Sequence, residues 1–156
     1  MSQSAFQDEM GGNHCWGCGS LNPLGLQIKS YWSGEESVCS WQPAAHHMAG
    51  PQHILNGGII ATLIDCHCAC TAMADAYRAE NREINSEPTI WYATSFLSIN
   101  CLRPTLIAQP VNLTAQITKR TDRKTTLTCI LASNGQECVV GEVVAVRVPP
   151  AWLEPT

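Results

Sequence analysis

The chain has 156 residues, 45% hydrophobic and 14% charged, with a formal net charge of −4 at pH 7. That length suits about one domain with a real core, spanning 1–156. The acidic balance argues against a nucleic-acid partner, which normally calls for a basic field. No apolar run reaches the ~18 to 20 residues that cross a bilayer, so no membrane partner is expected. The amino end, MSQSAFQDEMGGNH, shows no secretory signal, so the nine cysteines are expected as reduced thiols in a cytoplasmic setting.

In chain order, residues 1–13 are expected to be poorly ordered. CWGCGSLNPLGL (15–26) is rich in turn residues and reads as a compact irregular lead-in. LQIKSYW and ESVCSWQ, separated by Ser33-Gly34-Glu35, read as a hairpin. Residues 43–56, with several histidines, Gly50 and Pro51, read as a loop. A helix is predicted from Gly57-Gly58 to about Arg78, followed by a polar loop. After Pro88 the pattern turns to strands: TIWYATSFLSINCLRP, PVNLTAQITKR, KTTLTCILAS and ECVVGEVVAVRV. Asn134-Gly135 is a strong hairpin signal before the last. Two strands, one long helix and four strands that look antiparallel predict an α+β domain, its sheet packed on the helix.

On a helical wheel Gly58, Ala61, Asp65, Ala69, Ala72 and Ala76 share one narrow stripe. Every member but Asp65 is tiny, so a second backbone or a ligand can approach there. The helix is apolar almost all round, and an acid placed in such a helix needs a reason, because burying a carboxylate without partners is costly. A chemical role is one reason; a hydrogen bond to a loop or a second subunit is the competing one. His67 points nearly opposite to Asp65 and reads as a satisfied core histidine. Gly57-Gly58 at the helix start presents backbone N–H groups at the positive end of the dipole, where an anion or a developing oxyanion can sit. Close packing at the turn is the plainer reading of that pair.

The run ILNGGIIATLID, the lead-in CWGCGSLNPLGL and the corner TSFLSINCLRPT together resemble the hotdog-fold acyl-CoA thioesterases of the phenylacetate-degradation (PaaI-like) branch, over about residues 15–148. The resemblance implies a long helix wrapped by a curved antiparallel sheet. It also implies a homodimer with a continuous sheet, often pairing again into a tetramer, and active sites at the subunit interface. Gly57, with Gly58, would polarise the thioester carbonyl, and Asp65 of the other subunit would activate water or attack directly. Thr94 falls where the family often has a Ser or Thr that positions the acid. Asn56 departs from the family's usual His: its amide can fix the turn but cannot change charge near neutral pH. His53, three residues upstream, is a candidate for substrate contact. Ile59, Leu63 and Phe96 are candidates for the acyl group, and Arg103, Arg120, Arg123 and Lys124 for the coenzyme A phosphates. Coenzyme A is part of the substrate, and no cofactor is expected.

Two other readings compete. His14, Cys15 and Cys18 form a C-x-x-C-like cluster, and Cys66 and Cys70 share a helix face, but one C-x-x-C is half of a zinc signal. Packing thiols are the preferred account, and no metal is expected. A hotdog module that binds an acyl thioester without cleaving it is the alternative to the enzyme, favoured by Asn56 and opposed by Asp65 and the glycines.

Overall fold

The structure, a computed structural model, describes residues 2–156. Its centre is helix α2, Gly57–Ala79. The Asn56 side chain caps it, accepting from Gly58 N at 2.8 Å and Ile59 N at 3.2 Å, the arrangement that makes Asn a favoured N-cap. By length and composition α2 could cross a membrane. Here it is the core helix, with Ile60, Leu63, Ile64 and every residue from Cys70 to Tyr77 buried.

Six strands wrap it: β1 (Ser30–Ser33), β2 (Glu36–Trp41), β3 (Tyr92–Cys101), β4 (Val111–Arg120), β5 (Lys124–Ser133) and β6 (Gln136–Arg147). They form one sheet in the order β1-β2-β4-β5-β6-β3, antiparallel at every junction. This is the hotdog fold predicted above. The β5–β6 turn has Asn134 and Gly135 at φ 50° and 74°, the left-handed pair that a two-residue hairpin requires. Strand β1 starts later than its hydrophobic pattern suggests. Gln27 takes φ 55° and bonds the Asn22 carbonyl at 2.7 Å, which holds the preceding residues in the lead-in turn.

Alternate residues of the central strands, among them Leu113, Leu127, Leu131, Val139 and Val143, bury against α2. At Gly141 the sheet comes so near the helix that a Cβ would stand 2.9 Å from Ile64 Cγ2. Ile64 precedes Asp65, so this contact sets the depth at which the carboxylate sits. His67 is fully buried between Ser30 Oγ at 2.8 Å and Ser37 Oγ at 3.1 Å, and burial pushes its pKa down to about 4. It is a satisfied core histidine.

The amino end departs from the expected disorder. A short helix, α1 (Phe6–Glu9), packs against the core with Phe6 and Met10 buried. Gln7 bridges to Ser30, its Nε2 donating to Oγ at 2.9 Å and its Oε1 accepting from N at 2.8 Å. Too short for periodicity to reveal it, α1 is held by tertiary contacts. Gly141→Ala overpacks the helix–sheet contact and should lower stability by about 1–3 kcal/mol, read as a drop in the urea midpoint at unchanged slope.

Candidate active site

The small-residue stripe of α2 divides into two halves. Ala72 and Ala76 are buried, whereas Gly58 is exposed and Ala61, Asp65 and Ala69 are partly open. Asp65 therefore sits on the accessible half, beside edge strand β3. The Thr94 hydroxyl of β3 donates to Asp65 Oδ1. Burial pushes the Asp65 carboxyl above its ordinary range, the Thr94 hydrogen bond pulls it back down, and the nearby Cys18 raises it again. A carboxyl shifted upward by burial and oriented by a hydroxyl is a stronger base than an ordinary carboxylate and is placed for proton transfer.

The other half of the predicted chemistry lies at the start of the helix. Gly58 donates its N–H to Asn56 Oδ1, so the expectation that it polarises a carbonyl is not met. Among the described residues no acceptor takes the Gly57 N–H. Gly57 lines an open cavity of about 420 Å³ with Ile54, Ile60, Arg103 and Thr105. Thr105 is buried, and its hydroxyl has no hydrogen-bond partner among the described residues. A buried hydroxyl left without a partner is uncommon in native proteins and often marks a site that binds something polar. No sequence motif singled it out.

The remaining predicted contacts scatter. Leu63 is fully buried and belongs to the core, while Ile59 stays partly open beside it. Phe96 pairs with Val144 and therefore faces away from the helix, because directly paired residues share a sheet face. Leu97, paired with the buried Val143, holds the helix-facing position instead. His53 is exposed and contributes its backbone carbonyl to Ile107 N at 3.0 Å. Arg103 lies with Gly57. Arg120 instead grips Asp75 with two bonds of 2.6 and 2.7 Å, a structural pairing with a buried carboxylate that leaves it poorly suited to phosphates. Arg123 and Lys124 are exposed on the same hairpin and are not among the residues that line the cavity at Gly57.

Comparison with solved structures places this geometry among known proteins. A thioesterase superfamily protein from Shewanella loihica superposes with a TM-score of 0.66 at 31% identity, covering 88% of this chain and 96% of that one. The chain belongs to the thioesterase superfamily. The PaaI protein of the Escherichia coli phenylacetic acid degradation operon matches at TM-score 0.64 and 15% identity, covering 80% of this chain and 81% of its own. A Haemophilus influenzae thioesterase matches at 0.66 and 14%, covering 84% and 85%. At those identities the likeness is one of fold. No family model matches the sequence, and no match was found among curated proteins.

Within this thioesterase-superfamily chain the structure joins Asp65 to Thr94 and Gly57 to Arg103, but it keeps the two pairs apart. Eight residue steps along the helix separate Gly57 from Asp65, about 12 Å along the axis. A raised Asp65 pKa also has a sign for stability. Below about 3.8, the ordinary value, the carboxyl is neutral folded or unfolded. As pH climbs through the raised folded value, the native state must carry a charge that burial disfavours, and stability is lost. Asp65→Asn should therefore gain stability relative to the wild type as pH rises through that window, with the difference smallest in acid, as read by urea titrations across pH.

Proposed function

We propose that this protein hydrolyses an acyl-CoA thioester to the free acid and coenzyme A, at a site shared between two copies of the chain. The observation that carries this reading is the unpartnered Gly57 N–H, in a cavity at the helix start, together with an accessible Asp65 oriented by Thr94. One chain cannot bring the two to a single carbonyl carbon. Strand β3 lies at the sheet edge, with one neighbour, and exposes Phe96 and Leu97. Two such edges meeting about a twofold axis extend the sheet and run the two helices antiparallel. That brings Asp65 of one copy beside Gly57 of the other. The acyl-CoA substrate class comes from the resemblance in sequence.

In the proposed reaction the Gly57 N–H binds the thioester oxygen, where charge develops as the carbon becomes tetrahedral. Asp65 takes a proton from water as its oxygen attacks, and Thr94 holds the carboxylate in place. The C–S bond then breaks and coenzyme A leaves as a thiolate, which needs no strong acid to depart. Direct attack by Asp65 on the carbonyl is the other route. Single turnover in ¹⁸O-labelled water separates the two, since only attack by Asp65 leaves label in its carboxyl.

Asp65→Asn should lower kcat on an acyl-CoA panel by on the order of 10²-fold or more. Gly57→Pro gives a cleaner probe of the oxyanion donor. Gly57 is the first helical residue, Asn56 already has ψ 134°, and a Cβ at 57 meets nothing within 4 Å. Proline is well tolerated at that position and deletes only the N–H. Its kcat should fall by about 10²–10³-fold, while Gly57→Ala, which keeps the N–H, stays near wild type. A wild-type protein that binds acyl-CoA yet cleaves none of the panel would leave the binding module as the function.

A further inference from the structure

The lead-in between α1 and β1 runs for twenty residues, Met10 to Lys29, without a helix or strand, yet it lies tightly on α2. Its backbone approaches so closely that a Cβ at Gly17 would stand 2.3 Å from Cys66 Sγ and 2.7 Å from Thr62 Cγ2. Connections of that length with no helix or strand of their own are uncommon in compact domains. At this contact the two cysteine pairs of the sequence, C-x-x-C in the loop and C-x-x-x-C on the helix, come together.

The sulfurs of Cys15, Cys18 and Cys66 all lie within 4.8 Å of one another. Cys15 and Cys66 sulfurs are 3.7 Å apart, close to the ~3.8 Å edge of a tetrahedron with metal–sulfur bonds of ~2.3 Å. Cys70, one turn along α2 from Cys66 and fully buried, lies outside that set of three sulfurs. Two N–H donors already face these sulfurs: Gly17 N to Cys15 Sγ at 3.4 Å and Asn13 Nδ2 to Cys18 Sγ at 3.5 Å. Donors of this kind, outside the coordination sphere, orient and stabilise metal-bound thiolates. His14 is exposed, with its backbone carbonyl bonded to Asn22, and stands outside the cluster.

We propose that Cys15, Cys18, Cys66 and Cys70 bind one structural zinc ion that staples the lead-in to α2. Four soft sulfur donors in a closed, mostly buried setting select a tetrahedral thiophilic metal, and a set with no open position makes the site structural. Cys70 completes the tetrahedron by a side-chain rotation toward Cys18, since residues four apart share a helix face. Binding replaces four S–H bonds with four Zn–S bonds and releases four protons. This departs from the sequence-based expectation of no metal. There the C-x-x-C lacked a second half, which sits 48 residues away, between Cys18 and Cys66.

The test is metal content of the untreated full chain, expressed with added zinc and passed through gel filtration. One zinc per chain is expected, released by a mercurial thiol reagent. Cobalt substitution should give the visible d–d bands of tetrahedral thiolate coordination. Cys66→Ser should lose most of the metal, and Cys39→Ala, at a thiol outside the cluster, should keep it. Wild-type protein holding well under one metal per chain, whether its nine cysteines titrate as free thiols or its mass shows a disulfide, would overturn the proposal without any folded variant being needed.

Discussion

Gly57 and Asp65 stand eight residue steps apart on unbroken helix, and α-helical geometry turns that count into a fixed gap of about 12 Å. No side-chain rotation closes it. A carbonyl held by the Gly57 N–H lies out of reach of the carboxylate on the same helix, and the chain offers each half of a hydrolytic pair to a partner. The accessible half of the small-residue stripe and the unpaired edge of β3 are the surfaces on which that partner would sit.

Local packing decides which atoms are offered. Asn56 spends its side-chain oxygen on Gly58 and Ile59, which leaves Gly57 as the one free donor of the pair. Gly141 lets Ile64 approach the sheet, and that depth brings Asp65 to Thr94. The carboxylate is then raised by burial and restrained by one hydroxyl. The same helix holds its opposite faces by different means: His67 between two serines, Asp75 in the grip of Arg120, and the cysteine cluster under the lead-in.

Much of this was legible in the sequence. Alternation and turn residues placed β2, β4, β5 and β6 nearly to the residue and β3 to within three residues at each end, and the glycine pair marked the start of α2. The Asp65–Thr94 pair came from the resemblance, and the structure supplies its hydrogen bond. What was missed has physical reasons. The bulge in β3 between Thr94 and Phe96 adds one residue to the strand, and a one-residue slip turns every later side chain to the opposite face. Counting by twos from Thr94 puts Phe96 beside the helix; the bulge puts Leu97 there. Gly58 was misjudged although the signal was present, since Asn before a helix is a capping residue that consumes N–H groups. Arg120 could not be told from a solvated arginine because its partner, Asp75, is 45 positions away. Thr105 carries no local signature at all.

Mixing two inactive variants tests the shared site most directly. Asp65→Asn keeps Gly57, and Gly57→Pro keeps Asp65, so a mixed pair regains one whole site out of two. If chains are unfolded together and refolded, half of the pairs formed at random are mixed, and roughly a quarter of wild-type turnover should return from two preparations that are each nearly inert. Activity that stays at the level of the separate variants, with mixed dimers demonstrably present, would contradict the account.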